Sequence, residues 1–208
     1  MLYAYMMEAG SALCVVGNHD DKLLRCLLGR NVNLSHGLSV TLEQMQAEPP
    51  EFRERARVFL AGLPTHYLLD GGKLVVAHAG LTEDLHGRES KRVRSFALYG
   101  LTSGEVDDDG LPMRGNWAAD YTGRSAVVYG HTPVAVPEWV NHTINIDTGC
   151  VFGGRLTALR YPELEFVSVP AARVYCEPPR PLPGPVADRE DLRSCPGPEN
   201  HGPISPIG

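Results

Sequence analysis

Three apolar segments of the sequence end in short polar turns that carry side chains able to bind a divalent cation. Asn18, His78 and His131 each come directly after such a segment. Amide oxygens and neutral imidazoles are ligands for first-row dications. Strand ends are also where α/β folds build their sites, and adjacent glycines let the backbone approach a ligand closely. The repeated pattern predicts one shared metal site.

Each of these motifs alone has a simpler explanation. A single histidine after a strand is usually a hydrogen-bonded structural residue, and Gly-Asn-His-Asp at 17–20 also fits a turn followed by a helix N-cap. The occurrence of three such strand ends in one chain favours the metal site.

The elements that must position these side chains alternate between strands and helices. Apolar runs predict strands at 12–16, 67–69, 74–77, 125–129, 144–146, 156–159 and 164–169. The second and third form a hairpin around Gly71-Gly72. A leucine stripe predicts a helix from an Asp20 N-cap to a Gly29 C-cap, and a second helix spans 50–62. We therefore expect an α/β fold with mixed sheets.

Composition places the chain among ordinary globular proteins. It has 208 residues, 43% hydrophobic residues and a net charge of -6, so a bulk positive field for nucleic acid is absent. We expect one domain at 1–175 and a Pro/Gly-rich tail or linker at 176–208. No apolar run reaches the ~20 residues of a membrane span, and scattered cysteines suggest reduced thiols. These features predict a cytoplasmic protein without a membrane partner.

The order of the three motifs resembles that of the calcineurin-like metallophosphoesterases. The strings GNHD, VVAHAG and YGHTP carry the resemblance, and it covers the chain from Cys14 to about Ala171. Longer strings, including GNHDDKLLRCLLGR, NWAADYTG and NIDTGCVFGGRLTALRYPE, are similar to the phosphatase module of bacterial polynucleotide kinase-phosphatase, an RNA end-healing enzyme. The resemblance implies a four-layer sandwich in which two mixed sheets are flanked by helices.

The resemblance also implies roles for individual residues. Asn18, His78 and His131 would bind one ion of a two-metal site that holds Mn²⁺, Ni²⁺ or another divalent cation. His19 and Asp147 would be catalytic, the first by contacting phosphate or helping the leaving oxygen depart, the second by orienting other groups. Asn18, His19 and Arg124 would bind substrate. Weaker candidates for substrate contact are His36, Arg88, Arg92 and Arg94.

Two opening motifs of the family, Asp-x-His and Gly-Asp-x-x-Asp-Arg-Gly, do not occur in this sequence. In the family they supply ligands to the first metal and the carboxylate that bridges both ions. We therefore expect a chain that is N-terminally truncated, that lacks its first strand or strands, and that is a poor phosphatase alone, because three neutral ligands leave the charge of a dication uncompensated.

The function implied by the resemblance is removal of 3′ or 2′ phosphate, or opening of 2′,3′-cyclic phosphate, at RNA ends. Phosphorylated RNA or nucleotide ends would be substrates, and kinase and ligase modules of a larger assembly would be partners. The strings DTGC and GGRLTALR are also similar to those of diadenosine-tetraphosphate hydrolases, which together with protein phosphatases form an alternative. A noncatalytic fragment or interaction module is a third possibility.

Overall fold

The computed structural model describes residue 10 and residues 12–35, 37–106, 112–178 and 182. Four helices lie in these ranges: α1 (Asn18–Leu27), α2 (Leu38–Ala47), α3 (Pro50–Gly62) and α4 (Lys91–Tyr99). The predicted helix at 50–62 is confirmed at both ends. No helix among these residues is long and apolar enough to cross a membrane. Most of the predicted tail at 176–208 lies outside the described residues.

Nine strands accompany these helices. They are β1 (His66–Leu69), β2 (Leu74–Ala77), β3 (Thr102–Val106), β4 (Pro112–Arg114), β5 (Ala126–Tyr129), β6 (Trp139–Val140), β7 (Thr143–Asn145), β8 (Arg155–Arg160) and β9 (Glu165–Pro170). Five of them form a sheet in the order β1-β2-β5-β7-β6, while β3-β4 and β8-β9 are separate antiparallel ribbons.

The main sheet mixes both strand directions. Its central strands β2, β5 and β7 are parallel, whereas β1 and β6 pair antiparallel at the two edges. This arrangement confirms the α/β class with a mixed sheet. The described ranges contain one sheet of this size together with the two ribbons, so the four-layer sandwich with two mixed sheets stays a prediction.

Helix α1 begins earlier than the sequence indicated. Its N-cap is Gly17, not Asp20, and the Gly17 N–H donates to Asp20 Oδ2 at 2.8 Å. An acidic residue at the third helical position satisfies the amide of the N-cap in this way. As a result, Asn18 and His19 occupy the first helical turn.

The segment at 12–16 forms no strand and pairs with none among the described residues. Its one ladder-like contact is the hydrogen bond from Val16 N–H to Pro64 C=O, at 2.9 Å. Val16 is buried but Leu13 is 64% exposed, so the prediction of a buried strand at 12–16 is wrong. A strand also needs a neighbour along its length, and a local pattern carries no information about that neighbour.

The first three helices share a core of their own. Leu23, Leu38, Met45, Ala56 and Leu60 are buried against one another. Leu23 on α1 is only 2% exposed. This contact fixes α1, and therefore its first turn, against α2 and α3.

We expect Leu23→Ala to lower the free energy of unfolding by about 2–5 kcal/mol, because the truncation leaves a cavity in this core. Leu28, at the end of the same helix, is 47% exposed. The matched variant Leu28→Ala should change stability by less than about 0.5 kcal/mol. Urea unfolding of both variants checks the prediction, and equal losses would contradict it.

Candidate active site

The parallel strands bring several predicted site residues to one edge of the sheet. His78 directly follows β2, Gly130 and His131 follow β5, and Ile146 and Asp147 follow β7. Because carboxyl ends of parallel strands meet at the same edge, these segments are neighbours. The Gly130 N–H donates to the His78 carbonyl at 2.9 Å, which joins the first two turns directly.

Three atoms that can donate an electron pair to a metal ion converge at this edge. His78 Nε2 lies 3.0 Å from Asn18 Oδ1 and 2.9 Å from His131 Nδ1. The two imidazole rings are 4.7 Å apart between centroids. We refer to Asn18 Oδ1, His78 Nε2 and His131 Nδ1 as the donor triad.

The spacing of the donor triad suits an octahedral dication. Ligand atoms in adjacent positions with bonds of ~2.1 Å lie ~3.0 Å apart, close to the observed separations. An amide oxygen and two imidazole nitrogens fit Mn²⁺ or Ni²⁺. Within the described ranges no cluster of three His, Cys, Asp or Glu side chains forms a metal site, so the triad is a neutral ligand set. An octahedral dication bound by the triad would need three further ligands.

Burial keeps both imidazoles neutral. Burial, followed by the nearby charges of His19 and Arg114, lowers the pKa of His78 to about 4. Burial likewise lowers the pKa of His131 to about 3, with Arg114 as the next cause. At neutral pH both rings therefore offer lone pairs, as metal ligation requires.

These two pKa values predict how the metal-free protein responds to acid. Unfolded histidine titrates near 6.5, so between pH ~6.5 and 4 the unfolded chain binds more protons than the folded chain. The histidine contribution to the free energy of unfolding is fully present above pH ~6.5 and is lost as pH falls through this window. Urea unfolding between pH 4 and 7.5 measures the slope.

The buried carboxylates Asp20 and Asp147 act in the opposite direction, because burial raises their pKa values. A double variant with His78→Gln and His131→Gln separates the two contributions. We expect its stability to rise less steeply with pH than that of the wild type. A double variant with the wild-type slope would contradict the prediction.

His131 is held in an unusual conformation. Its φ of 77° is left-handed, a region that non-glycine residues seldom adopt. Its Nε2 atom is buried and has no hydrogen-bond partner among the described residues. Strained backbones and unsatisfied buried polar atoms both cost free energy, and they concentrate at functional sites.

Asp147 supports the turn that carries His131. Its carboxylate accepts a hydrogen bond from Gly149 N–H at 3.1 Å. Burial raises the pKa of Asp147, and backbone hydrogen bonds from Gly149 and His131 partly offset this rise. Its carbonyl accepts from Val134 N–H at 2.9 Å. A Cβ at Gly130 would lie 3.0 Å from Asp147 Cβ, so the two turns pack closely. Asp147 therefore links the turns after β5 and β7.

Relatives of this chain are asymmetrical bis(5′-nucleosyl)-tetraphosphatases PrpE. The protein from Geobacillus sp. (strain WCH70) is 49% identical over 174 residues, which cover 82% of this chain and 71% of the relative. The protein from Bacillus thuringiensis (strain Al Hakam) is 50% identical over 176 residues, with 83% and 72% covered. This chain belongs to the bis(5′-nucleosyl)-tetraphosphatase PrpE family. No protein-family model matches it.

A solved structure agrees with this assignment to the tetraphosphatase family. The crystal structure of a protein provisionally assigned as a diadenosine tetraphosphatase aligns with a TM-score of 0.58 and 26% identity, covering 82% of this chain and 72% of that one. The chain is thus a phosphoesterase hydrolase of a family that depends on divalent metal. The comparisons favour the tetraphosphatase alternative over RNA-end repair.

The other predicted contact residues lie in different parts of the fold. His19 is exposed on the first turn of α1, and its charge reaches both triad imidazoles. Arg124 precedes β5, at the opposite edge of the sheet, where its N–H contacts Glu83 Oε1 at 3.4 Å. The structure therefore does not bring Arg124 to the triad.

Two of the weaker arginine candidates have other partners. Arg92 pairs with Asp84 at 3.3 Å, and Arg94 pairs with Asp21 at 2.6 Å, which ties α4 to α1. His36 lies outside the described residues. These contacts give Arg92 and Arg94 structural explanations.

Sequence reasoning missed the cation that does lie near the triad. Arg114, on β4, lowers the pKa of both His78 and His131 through its charge. It lines a cleft of about 250 Å³ that also has His131 and Tyr99 in its walls. The NWAADYTG string begins two residues after Arg114 and carries a family resemblance. No motif in the sequence includes Arg114 itself.

Proposed function

We propose that this chain hydrolyses dinucleoside tetraphosphates asymmetrically, with the donor triad as the ligand set for a divalent cation. The observation that carries the proposal is the convergence of Asn18 Oδ1 and His131 Nδ1 on His78 Nε2, at 3.0 and 2.9 Å. Relatives about 50% identical carry the name of this activity.

The reaction adds water across one phosphoanhydride bond. The water oxygen bonds to phosphorus and loses a proton to solvent, while the bridging P–O bond breaks and its oxygen leaves with a proton. The products are a nucleoside triphosphate and a nucleoside monophosphate. When bound, the divalent cation supplies Lewis-acid stabilisation of the phosphoryl charge. Mn²⁺ and Ni²⁺ suit the neutral donors of this chain.

The protein's own residues take the remaining roles in this proposal. The exposed imidazole of His19 contacts the phosphate chain and donates a proton to the departing phosphate oxygen. Asp147 keeps His131 in place through its backbone contacts. Because the triad carries no carboxylate, we expect weak cation affinity and slow turnover for this chain.

A substrate panel tests the proposal. Purified protein with MnCl₂ is supplied separately with diadenosine tetraphosphate, p-nitrophenyl phosphate and an RNA oligonucleotide with a 3′-phosphate. We expect AMP and ATP in equal amounts from the first, with the largest kcat/KM of the three. Two equivalents of ADP, or preferred hydrolysis of the RNA end, would overturn it in favour of symmetrical cleavage or of end healing.

A further inference from the structure

A cleft opens beside the donor triad, on the side of His131. Its walls come from the end of α4, the β3-β4 ribbon and the turn after β5, and they include Tyr99, Arg114, Asn116, His131 and Thr132. Its volume of about 250 Å³ is below the ~300–1,000 Å³ of pockets that enclose a whole drug-sized ligand. It therefore has room for part of a dinucleotide only.

Arg114 is the cation in the wall of this cleft. The ion pairs found among the described residues do not include Arg114. A guanidinium that has no ion-pair partner in the described part of the chain and lies next to a metal-ligand cluster is suited to bind phosphate with two parallel hydrogen bonds.

The position of the guanidinium is fixed by the backbone. Arg114 Nη1 donates a hydrogen bond to the carbonyl of Tyr99, the last residue of α4. The next residue, Gly115, donates from its N–H to the Leu101 carbonyl at 2.8 Å. These two bonds attach the ribbon to the end of α4. A solvated surface arginine lacks such anchoring, while Arg114 remains exposed enough to meet a ligand.

We propose that Arg114 binds the phosphate chain of the substrate beyond the phosphorus that is attacked, in the cleft next to His131. This inference rests on the proposed function and extends it, because it names the group that distinguishes a polyphosphate from a phosphomonoester. Burial lowers the pKa of the guanidinium. A bound polyphosphate would place negative charge beside it and favour its charged form.

Binding of inorganic tripolyphosphate to the metal-free protein tests the inference without turnover. Isothermal calorimetry at low salt should show that Arg114→Gln raises the Kd about tenfold or more, since hydrogen bonds to charged groups are worth ~1.5–3 kcal/mol. The Kd of Arg114→Lys should lie between those of the wild type and Arg114→Gln, because lysine keeps the positive charge but cannot form two parallel hydrogen bonds to a phosphate. The control Arg92→Gln removes an exposed arginine at the start of α4, the end opposite Tyr99. This variant should bind tripolyphosphate as tightly as the wild type does.

A second variant protects the test against misfolding of Arg114→Gln. Asn116 is exposed and lines the same cleft, so Asn116→Asp adds a negative charge there with almost no change in shape. We expect it also to weaken tripolyphosphate binding. Wild-type affinity in the folded Arg114→Gln variant, or in Asn116→Asp, would overturn the inference.

Kinetics separate this inference from the proposed function. In Arg114→Gln, KM for diadenosine tetraphosphate should rise about tenfold, while kcat/KM for p-nitrophenyl phosphate should change less than about threefold. If the wild type does not cleave the tetraphosphate but tripolyphosphate binding still requires Arg114, the proposed function fails and the phosphate site stands. If cleavage occurs and Arg114→Gln leaves KM unchanged, the inference fails alone.

Discussion

Replacing His78 with alanine is expected to lower Mn²⁺-dependent kcat/KM for diadenosine tetraphosphate at least ~100-fold. His78 Nε2 is the atom that contacts both other members of the donor triad, at 3.0 and 2.9 Å. Replacement of residues that only orient metal ligands commonly costs ~10–100-fold, so removal of a ligand should cost more. Initial rates at several MnCl₂ concentrations, with free Mn²⁺ followed by electron paramagnetic resonance, measure activity and affinity together.

His142 provides the matched control for this substitution. It is exposed and precedes β7, at the edge of the sheet opposite the triad, where Nδ1 lies 2.9 Å from the Gly123 carbonyl. His142→Gln should keep the wild-type rate and Mn²⁺ affinity. A folded His78→Ala variant with wild-type activity at the same Mn²⁺ concentration would show that the triad is not the functional site.

Gly80→Ala is expected to be the most destabilising single substitution near the site. Gly80 lies two residues after His78 and has a φ of +95°, and a Cβ there would lie 2.0 Å from Trp117 Cζ2. The left-handed conformation and the overpacking together should cost about 2–5 kcal/mol. The ring cannot easily move, because Phe96, Tyr121 and Tyr129 pack against it with centroids 4.9–6.0 Å away.

Gly62→Ala is the control for this glycine substitution. Gly62 ends α3, and a Cβ there would meet no atom within 4 Å. Alanine in a helix should leave stability unchanged or raise it by up to ~1 kcal/mol. Thermal and urea unfolding of both variants provide the measurement, and a Gly80→Ala protein as stable as the wild type would contradict the packing at Trp117.

The grouping of Asn18, His78 and His131 could be predicted because its signal is local. Each residue follows an apolar run, and the parallel order of β2, β5 and β7 brings the two histidines to one edge. Helix α3 was equally predictable, since Pro50 begins it and its apolar residues recur on one face. The motif at each site residue and the pattern of α3 lie in residues that are close in sequence, whereas the meeting of the triad follows from the order of the sheet.

Features that depend on distant partners were not predictable. The segment at 12–16 has the composition of a strand, but the backbone hydrogen bond that joins it to another described segment is the one from Val16 to Pro64. Strands β3 and β4 are short, and exposed Thr102 to Val106 carry no alternating apolar pattern. Arg114 gained its place near His131 only through the tertiary contact of its ribbon with Tyr99. The periodic pattern of apolar residues predicts none of these contacts.

The anomalous scattering of Mn²⁺ in crystals of this chain tests the central claim most directly. Crystals grown at pH 7.5 are soaked in MnCl₂, and an anomalous difference map is calculated at the manganese edge. We predict a peak within bonding distance of Asn18 Oδ1, His78 Nε2 and His131 Nδ1 together. A map whose manganese peaks lie away from these three atoms, or in which His78 and His131 have separated, would contradict the account.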